Sequence, residues 1–472
     1  MALTLGLCAA CVSYVPHPID PVASQRAFRD RRLDAPELVE FARAVLPPGA
    51  PFPPARWDLT TLTLVALHEN PELAAARARS DASRPAIESA GERPNPTLGL
   101  DAEYTANTGV LPWALGFTLD FPIELGGKRD ARITLAERES ELARIEYAAA
   151  AWRVRSEVRA ALAAHVGARR EKELATAEFA LLTERAALLS KRVQAGEEAR
   201  GAVLRATVAA NQAAQDVESA NRRSEAARVV LARALGVSMR ALDGVALDWP
   251  GFETPRHSPT GPSLPPDRVV NSGPAPNPLV DHALVNRVDV RRALVEYATA
   301  EARLALEVAR QYPDVALGPG FQWDRGDHKW RLGFSIPLPV FDQHRGAIAE
   351  ASAARAVRES EFVAVQAGVL GDIELAVRNH GHAEREHTRA LGVEEDLERI
   401  AAAAKRAREL GEGDALQVND AELELARARR ATWLATVRLQ EAIGAVTEVL
   451  ATPIDGLALP AELAPVPEEG RP

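Results

Sequence analysis

No proline interrupts the chain between Pro122 and Pro250, or between Pro339 and Pro453. Proline breaks helices by removing an N–H donor and crowding the preceding turn, so such spans are free to be helical throughout. From Gly127 to Gly196 lie 68 residues, with Gly167 the one expected interruption. At 1.5 Å per residue that is roughly 100 Å of helix. Gly346 to Gly411 is nearly as long, and at Gly196 and Gly411 the chain is expected to turn so that second long helices return over about 200–235 and 414–450. A rod of that length cannot fold back into one globule. Its alanine-rich stripe must pack along similar rods, as in a coiled coil.

The two long spans are copies. Setting Pro96 on Pro313, an offset of 217 residues, also sets Arg93 on Arg310, Leu115-Gly116-Phe117 on Leu332-Gly333-Phe334 and Pro122 on Pro339. Ala66-Leu67 falls on Ala283-Leu284, and Gly196 falls on Gly411 after a slip of two. One offset across unlike elements identifies a tandem duplication. Repeat 1 is expected over 59–249, with a β-hairpin at 97–123 and a helical hairpin at 128–236. Repeat 2 is expected over 279–452, with corresponding hairpins at 314–340 and 345–450. Between them, 250–278 holds nine prolines and reads as an extended connector. Residues 12–58 read as extended and irregular, and 453–472 as a flexible tail.

Each repeat opens with a helix; Asn70-Pro71-Glu72 supplies a cap and a first-turn proline. Then the period changes to two. Trp113, Leu115, Phe117, Leu119 and Phe121 alternate with Ala114, Gly116, Thr118 and Asp120, and Trp330 to Val340 alternate likewise. The partner strands carry Leu98, Leu100, Ala102 and Tyr104, and Val315, Leu317, Phe321 and Trp323. Alternation means a strand with one apolar and one polar face. A half-buried soluble sheet and an outer-membrane barrel wall both fit. Strands of nine to eleven residues, a polar face with Asp101, Glu103, Asp120, Gln322 and Arg331, and Trp113, Trp323 and Trp330 near strand ends as membrane-interface aromatics favour the wall. Four strands cannot close a barrel, so several chains must share one.

Composition removes other classes. Basic residues number 56 against 66 acidic, a net charge of −10, which argues against a nucleic-acid surface. The one stretch of 18 or more residues without Asp, Glu, Lys or Arg lies within residues 1–19, where Pro16 and Pro18 cut the apolar run short, so no apolar membrane helix is expected. The two cysteines, Cys8 and Cys11, leave no disulfide framework and no cysteine zinc site. Residues 1–11 resemble part of a lipoprotein signal, with small Ala9-Ala10 before Cys11 as the lipid-bearing residue and Cys8 the alternative. The apolar run is short and lacks a leading basic residue, so either the true start lies upstream or this is not a signal. No nucleophile elbow, P-loop, Rossmann fingerprint or H-E-x-x-H is present, so no enzyme and no cofactor are expected. His380, Glu384 and His387 share a helical face, but in a solvated Glu- and Arg-rich stretch, so no metal site is assigned.

Helix, β-hairpin and long helical hairpin, made twice around a proline-rich connector, resembles the TolC-like outer-membrane efflux channel family over about residues 58–452. The matching strings are Asn70-Pro71-Glu72-Leu73, Tyr312-Pro313-Asp314 and Phe334-Ser335-Ile336-Pro337-Leu338-Pro339. Phe121 to Arg129, and Cys11 followed by Pro18-Ile19-Asp20-Pro21, resemble its heavy-metal branch. The resemblance implies a mainly α protein with membrane β: a homotrimer whose twelve strands form a barrel in the outer membrane and whose helical hairpins form a periplasmic tunnel. It implies a passive channel served by a periplasmic adaptor and an inner-membrane pump of the RND type. It further implies adaptor contacts at the turns Gly196-Glu197 and Gly411-Glu412, and a closed aperture near Asp420, with Gln417 where another acid is common. A periplasmic adaptor, or a soluble coiled-coil protein without a channel, is the alternative. An adaptor has one helical hairpin, not two, and a coiled-coil protein leaves the strands unexplained.

Overall fold

The computed structural model describes residues 13–106, 112–253 and 278–450. Cys8 and Cys11 lie outside them. Two short helices, α1 (Pro21–Arg29) and α2 (Pro36–Val45), precede repeat 1. They correct the expectation of an irregular segment: each begins on a proline, which starts a helix at its first position and breaks one only inside.

Repeat 1 contains α3 (Leu59–Glu69), α4 (Pro71–Gly91), β1 (Thr97–Tyr104), β2 (Trp113–Ile123), α5 (Lys128–Ala195) and α6 (Arg200–Leu235). Repeat 2 contains α7 (Pro278–Asn286), α8 (Val288–Arg310), β3 (Val315–Asp324), β4 (Asp327–Ser335), α9 (Arg345–Glu409) and α10 (Ala415–Val449). Asn70 caps α4, its Oδ1 accepting from the N–H groups of Glu72 and Leu73, while its Nδ2 donates to Ala234 O of α6 at 3.0 Å.

Gly167 does not interrupt α5, contrary to expectation. Its carbonyl accepts from Trp433 Nε1 at 2.9 Å, and an added Cβ would lie 3.0 Å from Val437 Cγ2. The glycine is a site of close approach by α10, not a break. Helix α5 packs against α3, α4, α6, α8 and α10, while α9 packs against α7, α8 and α10.

The largest apolar cluster joins α2, α3, the middle of α5, the end of α6 and the following segment through Phe252. Trp57 is stitched to that segment: its N–H donates to Ala246 O at 2.9 Å and its carbonyl accepts from Asp248 N at 3.0 Å. Upstream, the Arg31 guanidinium donates to the terminal carbonyls of Glu69 (2.5 Å) and Gly236 (2.6 Å), with the Glu69 carboxylate at 3.1 Å. Repeat 2 has a smaller counterpart around Val369, Ile373 and Val377. Among the described residues no helix is long and apolar enough to cross a membrane.

Candidate functional site

The four strands form one antiparallel sheet in the order β1-β2-β3-β4, so β2 of repeat 1 pairs with β3 of repeat 2. Register puts Leu100 beside Phe117, Phe117 beside Phe321, and Phe321 beside Trp330. That face is apolar from edge to edge, and no element covers it: Leu100, Trp330, Leu332 and Phe334 are each more than 70% exposed. The other face carries Asp101, Glu103, Thr118, Asp120, Gln322 and Arg331 between glycines. Exposing a whole apolar face to water is costly at about 25 cal/mol per Å², so the face requires an apolar surrounding.

Trp113 opens β2 and stacks edge-on with Tyr104 at 5.0 Å; Trp323 is one residue from the end of β3. Trp330 departs from its expected strand-end place, lying three residues inside β4 because that strand begins at Asp327. The strand also stops at Ser335, short of Val340. Pro337 and Pro339 donate no ladder hydrogen bonds, and β3 starts only at Val315.

A tight joint links sheet and rods. After β2, Glu124 pairs with Arg132 on α5, and the bond from that guanidinium holds the carboxyl below its usual value against the opposing effect of burial. Lys128 Nζ donates to Asp314 Oδ1 at 2.6 Å, and the Leu125 N–H donates to the same oxygen at 3.2 Å. A Cβ on Gly126 would meet the Tyr312 ring at 2.7 Å. The Phe121–Arg129 string therefore welds β2 and α5 to the start of β3.

At the far end, the two turns are built alike. Gly196 and Gly411 both sit at φ 80°, where glycine alone escapes the Cβ penalty. The next N–H, of Glu197 or Glu412, reaches back five residues to Arg192 O or Ala407 O, each at 2.9 Å. Both glutamate side chains are exposed. Asp414 then caps α10: Oδ1 accepts from Leu416 N (2.8 Å) and Gln417 N (2.9 Å), and Gln417 Oε1 accepts from Asp414 N (3.3 Å). The Gln417 N–H, aided by Arg192, holds Asp414 below the usual carboxylate range, burial opposing.

Within a protomer both expected aperture residues are therefore engaged. Gln417 completes a helix cap, and Asp420 Oδ1 lies 2.7 Å from Arg185 Nη1 as an ion pair. This contact belongs to a series that sequence reasoning missed. Glu171, Glu178, Arg185 and Arg192 recur every seven residues along α5 and face α10. Arg192 pairs with Asp414, Arg185 with Asp420, Glu178 with Arg427 and Arg430, and Glu171 with Arg430. Charge order reverses halfway along, so a heptad slip would oppose like charges and the series fixes the register of α10 on α5. The heptad spacing was the available signal; its partners on α10 were not.

His380 is buried, whereas His387 is partly buried and held toward its neutral form by burial. Among the described residues no cluster of three or more His, Cys, Asp or Glu side chains has metal-holding geometry.

Comparison with known proteins adds three findings. The family described as outer membrane efflux protein matches residues 63–237 and 279–452, the two repeats in turn. The cobalt-zinc-cadmium resistance protein CzcC of Cupriavidus metallidurans is 28% identical over 314 residues, 66% of this chain and 70% of that protein. Among solved structures, the outer membrane protein VceC of Vibrio cholerae superposes with a TM-score of 0.64 at 21% identity, over 83% of this chain and 95% of that one. The outer-membrane channel OprN gives 0.66 at 21% identity, over 90% and 97%. At such identities these two likenesses speak for the fold.

Proposed function

Since the chain belongs to the outer membrane efflux protein family, we propose that three copies assemble into the outer-membrane conduit of a tripartite heavy-metal exporter. The observation that carries this is the sheet: one exposed apolar face, one polar face and two unpaired edges, joined rigidly to rods of roughly 100 Å. Edge N–H and C=O groups cannot stay unpaired in lipid, so β1 and β4 must meet strands of other copies. Three copies supply twelve strands.

The cargo proposal, divalent cations such as cobalt, zinc or cadmium, rests on the likeness to CzcC. Energy comes from the partners, a periplasmic adaptor and an inner-membrane pump of the RND type. The exposed Gly196-Glu197 and Gly411-Glu412 turns are the adaptor contacts on this reading. Asp420 lines the aperture, and Cys11 carries the lipid. Expression alongside a cation-exporting pump and adaptor should raise the metal concentration a sensitive bacterium survives. The protein should stay in the outer-membrane fraction after high-salt washing. Release by salt would refute the membrane wall; retention without added tolerance would refute the cargo.

A further inference from the structure

Resting on the trimeric reading above, we propose that neighbouring protomers are set in register by ion pairs on the polar face of the barrel, with Arg331 of β4 against the Asp101–Glu103 pair of the next protomer's β1. Those strands are the two open edges of the sheet, of eight and nine residues. Apart from Asp327 at the start of β4, their polar faces carry opposite charge: Asp101 and Glu103 on one, Lys329 and Arg331 on the other. All four are exposed, and among the described residues Asp101, Glu103 and Arg331 form no ion pair within the protomer; Lys329 is drawn to Asp324 at 2.5 Å.

Geometry leaves few registers. A slip of one residue would turn Leu98 and Leu100, or Trp330 and Leu332, onto the polar face, so only even steps are allowed. Pairing Thr97 with Ser335 sets Asp101 opposite Arg331 and Glu103 opposite Lys329. Barrel closure requires stagger; a two-residue stagger one way sets Glu103 opposite Arg331, and the other way sets Asp101 opposite Lys329 but Glu103 opposite the like-charged Asp327, which disfavours it. Every such register joins an acid to a base directly or on the diagonal. Within the protomer the β1–β2 ladder does not do this, since β1 faces Gly116 and Ala114 of β2, which carry no charge; the β3–β4 ladder does so once, between Asp324 and Lys329. The edges are thus charged for each other, and self-pairing of two β1 edges meets like charge.

The test is charge reversal in the full-length protein. Arg331→Glu should lower the temperature at which the detergent-solubilised trimer dissociates, and the loss should shrink as salt is added. Adding Glu103→Arg or Asp101→Arg to Arg331→Glu should restore the temperature, and the rescuing variant identifies the register. An undiminished temperature for Arg331→Glu, or rescue by neither, overturns the proposal. Should Arg331→Glu fail to insert, a thiol cross-linker on Glu103→Cys/Arg331→Cys and Asp101→Cys/Arg331→Cys proteins decides. One pair should yield covalent dimers and trimers absent from the single-cysteine controls, and no ladder from either overturns the seam. If the unsubstituted protein is itself monomeric, the trimeric reading fails and the seam with it. A native trimer indifferent to these changes defeats the seam alone.

Discussion

Repeat 1 and repeat 2 share a plan and are finished differently. Helix α5 buries 17 of its 68 residues and α9 only 9 of its 65, although the two descend from one segment. The 217-residue offset sets Val158, fully buried on α5, on Leu375, 61% exposed on α9. Repeat 1 spends its apolar stripe on α3, α4, α10 and the N-terminal segment. Repeat 2 leaves Val357, Val363, Leu375, Val393 and Ile400 open along one rod, a surface that another copy covers on the trimeric proposal. On that proposal one half builds the protomer and the other half serves assembly. Where the halves make the same contact, the chemistry has diverged while the place has not. Asn70 Nδ2 reaches Ala234 O, and at the corresponding positions Arg287 Nη1 reaches Val449 O at 3.5 Å. The backbone position outlasted the residue.

That contrast breaks most directly at its most unequal pair. Val158→Ala should cost about 2 kcal/mol of protomer stability, read from thermal loss of helix signal. Leu375→Ala should leave that signal in place and lower only the temperature of trimer dissociation. The reverse pattern would mean the rods have exchanged roles.

Next comes the divergent contact. Asn70→Ala removes a helix cap and a buried bond to α6 together and should cost about 1 kcal/mol. Arg287→Ala should cost less, because Arg287 stands at the N-cap of α8 without a side-chain cap bond and its other partners, Asp289 and Asp372, are solvent-exposed. Equal losses in equilibrium unfolding would show that repeat 2 depends on its contact as much as repeat 1.

Smaller effects are expected where the repeats touch. Reversing Arg185→Asp should loosen the lower end of α10 from α5 by a few tenths of a kcal/mol, and adding Asp420→Arg should recover it. In planar-bilayer recordings, Asp420→Asn should lower cation selectivity and weaken block by multivalent cations, because it leaves the Arg185 charge unopposed. Unchanged currents would place the constriction elsewhere.

The smallest effect is one of pH. Glu124 titrates below its ordinary value of 4.5 when folded. Its pairing with Arg132 therefore stabilises fully above that value and fades as pH falls through the depressed folded value. Glu124→Gln protein should lose less thermal stability than native protein between pH 7 and pH 3.5.

The duplication, the alternating strands and the turns at Gly196 and Gly411 were legible in the sequence because each is a local pattern. Proline-free spans, period two and glycine after a helical run need no partner to be read. What stayed hidden depends on residues far along the chain. Gly167 looks like a break until Trp433 and Val437 are placed against it. Asp414 and Gln417 look like solvated polar residues until the cap closes, and Asp420 looks like a free carboxylate until Arg185 is found 2.7 Å away.

The clasp at Arg31 has a mechanical consequence. Its guanidinium grips the carbonyl ends of α3 and α6 and the Glu69 carboxylate at once. Tension on any residue before Arg31 is therefore shared between the backbone and the ends of two helices far apart in the chain. Strands β1 and β2 lie beyond α4 and stay outside that load path. A chain tugged at its N-terminus would pass part of the pull to the end of α6, and so to the helical hairpin, ahead of the sheet.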